Sequence, residues 1–223
     1  MKNKVMVISA HPDDETLGVG GTLLKHKFNG DELYWIIGTK MIDKEKYTIE
    51  KINSRKNEIK RVSESYGISK TFKLNYETTT LNSSSLSTLI PQISEIFNLV
   101  KPNIIYTLHN KDAHSDHRII SNATLACTKS FRYPYIKKVL MYECLSETEL
   151  SPQLSENIFI PNYFVDITDF IEHKIKIMKI YESELGSHPF PRSIDGIKAL
   201  STFRGLMVNM KYAEAFQVIK IIE

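Results

Sequence analysis

Residues 7–21 read VISAHPDDETLGVGG. A short apolar run ends at Ala10. His11, Pro12 and three consecutive acids, Asp13, Asp14 and Glu15, come next, and Gly18, Gly20 and Gly21 dot the start of an apolar helical pattern. A buried strand running straight into a helix accounts for the two apolar segments. It does not account for a histidine and adjacent carboxylates at the strand's mouth, because carboxylates partly out of water repel one another unless a cation or proton offsets their charge.

Outward from this stretch, apolar runs and helical patterns alternate. Strands are expected over Lys4–Ser9, Glu32–Thr39, residues 71–76, Asn103–His109, 137–143 and 163–167, and helices over Thr16–Phe28, Thr48–Tyr66, Leu86–Val100 and Asp116–Ser130. Asn29-Gly30 and Gly67 are helix stop signals. Residues 170–185 and Lys198–Met210 also read as helical, and the pattern of 213–222 fits a strand or a helix. Such alternation implies crossover units and a mostly parallel sheet covered on both faces, an α/β fold. The polar stretch 78–88 reads as a loop.

A chain of 223 residues with 42% apolar and 25% charged residues suits one globular domain spanning 1–223. The net charge of +3 is spread along the chain, so no concentrated basic patch points to nucleic acid. Cys127 and Cys144 make no CxxC pair and read as free thiols of a reducing compartment. The N-terminus has too few apolar residues for a secretory signal, and no run approaches a membrane span; a cytoplasmic protein is expected.

In an open α/β sheet, ligands bind beyond the carboxyl ends of the strands. Two clusters fall there: His11 to Glu15 after the first strand, and HNKDAHSDHR, residues 109–118, after the fourth. Acids at a helix start complement the helix dipole, which by itself explains one or two of them. The second cluster adds His114, Asp116 and His117, and imidazole with carboxylate is a natural ligand set for a catalytic zinc with one position open. His26, His173 and His188 read as structural or solvated.

With AHPDDE after the first strand and H-x-D-H downstream, the chain resembles the LmbE-like, or PIG-L, zinc-dependent N-deacetylases. The glycine-spotted first helix, the R-x-x-E pair Arg55 and Glu58, the VDI segment leading into a lysine-bearing helix, and YAEAF near the C-terminus are similar too. The resemblance implies a Rossmann-like three-layer α/β/α fold with one zinc at the C-terminal edge of the sheet, held by His11, Asp14 and His117. It implies Asp13 as general base, His114 as oxyanion stabiliser or acid, Asp116 as the residue that orients an active-site imidazole, and Arg55 as part of the sugar pocket. The implied substrate is a small N-acetylated sugar of the N-acetylglucosamine type, with a homo-oligomer as a family-level expectation. Pro12 is expected to make the sharp turn that lets His11 and the acids face one point.

Two positions depart from the family pattern: Thr39-Lys40-Met41 lacks a glycine, and LNYETTT offers Glu77 as its nearest acid. The resemblance implies that both positions shape the sugar pocket, so the departures bear on substrate identity rather than on the metal chemistry. The alternatives are a metal-dependent hydrolase of another amide or ester, a two-metal phosphoesterase, which would want more ligands, and a non-catalytic sugar- or nucleotide-binding Rossmann-like protein. A dinucleotide fingerprint is excluded, because GVGG lacks G-x-G-x-x-G and follows an acidic tip.

Overall fold

A computed structural model of the chain describes residues 2–41 and 45–223. In chain order the elements are β1 (Lys4–Ser9), α1 (Asp14–Phe28), β2 (Glu32–Lys40), α2 (Ile49–Tyr66), β3 (Ile68–Glu77), α3 (Leu86–Val100), β4 (Ile104–Leu108), α4 (Ser115–Ala126), β5 (Lys138–Tyr142), β6 (Tyr163–Asp166), α5 (Ile171–Met178), α6 (Ile194–Leu206) and β7 (Ala213–Ile221). The seven strands form one sheet in the order β3-β2-β1-β4-β5-β7-β6. Only β7 runs against its neighbours. The mostly parallel α/β architecture read from the sequence is therefore the observed one.

β1 is buried from Val5 to Ser9, as a strand covered on both faces must be. Its neighbours β2 and β4 leave for opposite sides of the sheet, so the gap between the carboxyl ends of β1 and β4 is the topological switch point. Both sequence clusters open there. The helix α1 lies close over β5: a Cβ on Gly18 would stand 2.2 Å from Cδ2 of Tyr142 and 2.7 Å from the Glu143 carbonyl. Only glycine permits that approach.

A buried ion pair ties α1 to the C-terminal part of the chain. Lys174 of α5 and Glu214 of β7 meet at 2.7 Å with side chains 3% and 4% exposed. The Lys174 ammonium also donates to the Leu17 carbonyl, and Glu214 accepts the backbone N–H groups of Gly21 and Thr22. Leu17 and Gly21 are the two ends of one helical step. Each charge thus has further hydrogen bonds to the same turn of α1, which a buried pair requires.

Several boundaries differ from the sequence reading. The third strand is longer, Ile68–Glu77, because it pairs with β2 almost along its length. The fourth helix stops at Ala126 rather than Ser130. The stretch 170–185 breaks at Met178: Tyr181 leaves helical geometry (φ −85°, ψ 64°) to bury its ring, and a short 3-10 turn follows over Glu182–Glu184. The ambiguous C-terminal segment is strand β7, fixed by antiparallel pairing to both β5 and β6.

Candidate active site

The chain turns out of β1 through His11 and Pro12, but the sharp turn lies one residue later than expected. Asp13 takes φ 134° and ψ −31°, outside even the left-handed helical well. Pro12 cannot supply this rotation, since its ring holds φ near −65°. The Asp13 carbonyl accepts the backbone N–H groups of Thr16 and Leu17, each at 2.9 Å, and its side chain makes no cap hydrogen bond. The carboxyl is therefore free of helix capping and lines the cavity described below.

Asp14 opens α1 and folds back over the strand end. One carboxylate oxygen accepts the N–H groups of Ala10 at 2.9 Å and His11 at 2.8 Å. The other lies 3.3 Å from Nε2 of His117. His117 sits on the first turn of α4, which His114 caps by accepting the Asp116 N–H on its Nδ1. His11 Nδ1 and His117 Nε2 are 3.3 Å apart. His11, Asp14 and His117 thus bring three ligand atoms within 4.8 Å of one another; His11, His114 and Asp116 form a second such group.

Each imidazole of the first group has its outer nitrogen committed. His11 Nε2 meets Asp116 at 3.1 Å, and the same carboxylate accepts the backbone N–H groups of Thr79 and Leu81. His117 Nδ1 meets Asp112 at 2.9 Å, and Asp112 accepts the Thr148 hydroxyl at 2.6 Å. A carboxylate on the outer nitrogen places the proton there and turns the inner lone pair inward. Two imidazole lone pairs and a carboxylate then converge on one point, an arrangement that only a cation or a shared proton relieves. Despite burial, the neighbouring Asp14 and then Asp112 hold the His117 pKa well above the usual imidazole range. The same two histidines hold Asp14 well below the carboxylate range. A divalent cation fits this donor set.

Around the cluster lies a cavity of about 230 Å³, lined among others by Asp13, His114, Arg55, Glu147, Glu184 and Arg192. Burial, and next the Asp14 charge, push the Asp13 carboxyl well above its ordinary range, with Arg192 opposing. Burial beside His11 and His117 lowers His114 to about 4. Its Nδ1 already accepts a backbone N–H, so the neutral ring carries its proton on Nε2 as a donor. Arg55 lies at the cavity wall, and its donors go to protein groups: the Pro12 carbonyl at 3.1 Å, Ser183, Glu184 and Glu58.

Of the residues predicted from the sequence, all seven meet at this one place: His11, Asp13, Asp14, Arg55, His114, Asp116 and His117. Asp116 does not touch the pair of histidines flanking it in the motif through its carboxylate; it holds His11, across the sheet gap. Asp112, which holds His117, lies within the stretch 109–118 but carries no role in the sequence reading. Glu184 and Arg192 were missed, since they come from an irregular segment far along the chain with no motif. Glu15 was seen only as a third acid; it is fully buried, and burial raises its pKa to about 7 against hydrogen bonds from Thr16, Asp13 and Tyr181.

The profile of the PIG-L family, described as GlcNAc-PI de-N-acetylase, matches residues 6–128. Diacetylchitobiose deacetylase of Thermococcus kodakarensis is 24% identical over 97% of this chain and 83% of its own length. A probable N-acetyl-α-D-glucosaminyl L-malate deacetylase of Bacillus cereus is 24% identical over 82% of this chain and 84% of its own. The crystal structure of N,N'-diacetylchitobiose deacetylase from Pyrococcus horikoshii superposes with a TM-score of 0.77 at 22% identity, covering 98% of this chain and 84% of that one. The profile spans both halves of the cluster and more than half of the chain, and the chain belongs to the PIG-L family.

Proposed function

We propose that this protein is a zinc-dependent hydrolase that removes the acetyl group from an N-acetylglucosamine-type sugar or sugar conjugate. The observation that carries this reading is the convergence of His11, Asp14 and His117 on one point, at the floor of a cavity that Asp13 and His114 also line. The named deacetylases among its relatives act on sugars of this class, which supports the choice of substrate. Two nitrogen donors and one carboxylate suit zinc with an open position.

A zinc ion held there would lower the pKa of water to about 7 and polarise the acetamide carbonyl. We assign to Asp13 the proton of the attacking water, because its carboxyl lines the cavity beside the proposed ligands and is uncommitted to the helix. The same carboxyl returns that proton to the departing sugar amine. Positioned proton transfer of this kind contributes roughly 10²–10⁴-fold. His114 is neutral near pH 7 and presents an Nε2–H, which supports the oxyanion-donor role over that of an acid. Asp116 and Asp112 act behind the ligands, each fixing the tautomer of one imidazole.

We place the activity in the cytoplasm on the two buried free thiols, Cys127 and Cys144, which suit a reducing compartment. No helix among the described residues is long and apolar enough to cross a membrane. The test is acetate and amine release from a panel of N-acetylglucosamine derivatives by zinc-loaded and metal-stripped protein. Zinc-dependent release from at least one of them is expected. Failure to release acetate from any acetamide by protein shown to carry zinc would sink the reading.

A further inference from the structure

The general base assigned above stands on a backbone that an L residue rarely adopts, so something must hold it there. The peptide group between Pro12 and Asp13 is gripped at both polar ends. Its N–H, on Asp13, donates to Oε2 of Glu15 at 3.1 Å, and its carbonyl, on Pro12, accepts from Arg55 Nη1 at 3.1 Å. The orientation of this peptide plane sets φ of Asp13, and the bonds from Thr16 and Leu17 to the Asp13 carbonyl fix the other side of the same residue.

Glu15 is itself immobilised. Its Oε1 accepts the hydroxyls of Thr16 at 2.7 Å and of Tyr181 at 2.9 Å, and Tyr66 donates to Thr16 at 3.0 Å. Tyr66 ends α2, and Tyr181 is the residue whose departure from helical geometry breaks the segment after α5. Thr16 and Tyr181 thus hold directly a carboxylate that has no solvent exposure, and Tyr66 braces Thr16 from α2. Folding gains little from a buried carboxylate that an apolar side chain of similar size could replace. What an apolar side chain could not do is accept the Asp13 N–H.

We propose that Glu15, with Arg55 as the opposing arm, is a positioning residue that clamps the Pro12–Asp13 peptide and so aims the Asp13 carboxyl into the cavity. This rests on Asp13 being the base. Glu15 touches no reacting atom and acts through the Asp13 backbone alone.

The experiment is a kinetic cycle on zinc-loaded enzyme: wild type, Glu15→Leu, Glu15→Gln, Asp13→Asn, and Asp13→Asn with Glu15→Leu, each with kcat, KM and bound zinc measured. Glu15→Leu is expected to lower kcat roughly 10- to 100-fold, the cost of a misplaced catalytic group, with KM and zinc content unchanged. Glu15→Gln keeps an acceptor for the Asp13 N–H and should restore most of the rate. In the Asp13→Asn background, Glu15→Leu should leave the residual rate where it is. An equal loss in both backgrounds, or no loss in either, would overturn the proposal. A full rate in Asp13→Asn would instead overturn the base assignment, and the proposal with it. Should Glu15→Leu fail to fold, Tyr181→Phe removes one donor from the same carboxylate and runs the same cycle, with a smaller expected loss in the Asp13 background only.

Discussion

The inner nitrogens of His11 and His117 face each other across 3.3 Å, and each ring is anchored from behind by a different carboxylate. Asp116 and Asp112 both lie on the loop and first turn after β4, yet they serve opposite sides of the cluster. The pair therefore sets the direction of both imidazole lone pairs, and outer partners of this kind are worth about 10- to 100-fold in metal affinity. Asp116→Asn and Asp112→Asn should each weaken zinc by about that factor in a competition titration against a chelator. Unchanged affinity in both would mean that the ligands orient themselves.

Metal should also stabilise the fold, because the three converging donors are unfavourable when left alone. At a free zinc concentration of 100 times Kd the gain is about 2.7 kcal/mol. Thermal denaturation with and without chelator should show that rise in the wild type and lose it in His117→Ala. An equal rise in the variant would place the stabilising ion elsewhere.

The sequence shows the cluster more clearly than its geometry. Period-3.6 patterns and apolar runs located the six helices and the first six strands but left β7 open between strand and helix; β1 and β4 were plainest, because both faces are buried and the strands read as unbroken apolar runs. The three proposed ligands came from the family resemblance carried by AHPDDE and H-x-D-H, two motifs that follow the carboxyl ends of β1 and β4. What was not legible came from long-range contact. That Asp116 reaches back to His11 rather than to its own neighbours depends on strand order, which local spacing does not encode. The break at Met178 is similar: residues 170–185 carry a helical pattern, but the buried site for the Tyr181 hydroxyl lies on Glu15, in another element. Glu184, near the end of that segment, and Arg192, from the irregular stretch between it and α6, reach the cavity with no pattern to announce them.

The Lys174–Glu214 pair gives a prediction about stability. Removing one partner of a buried pair leaves an uncompensated charge and costs about 3–5 kcal/mol. Lys174→Met should therefore lower the denaturant midpoint strongly, since the Glu214 carboxylate would keep only the Gly21 and Thr22 N–H groups. The double variant Lys174→Met with Glu214→Gln should be more stable than the sum of the single losses, because it removes both charges together. Strict additivity would show that the two side chains contribute through separate contacts.

Asp13 offers a direct measure of strain at the proposed base. Its φ of 134° suits glycine and costs a residue with a Cβ about 1–3 kcal/mol. Asp13→Gly and Asp13→Ala both delete the carboxyl, so both should lose most turnover, roughly 10²–10⁴-fold, while retaining zinc. They differ in the backbone. Glycine relieves the strain but loses about 0.4–1 kcal/mol to the greater freedom of its unfolded chain. On balance the glycine variant should be about 1 kcal/mol the more stable, a difference of about 2–4 °C in Tm for a chain of this size. The comparison belongs in metal-free protein, so that bound zinc does not mask it. If the alanine variant melts at the same temperature or higher, the backbone at Asp13 stores no strain, and the clamp formed by Glu15 and Arg55 has nothing to hold.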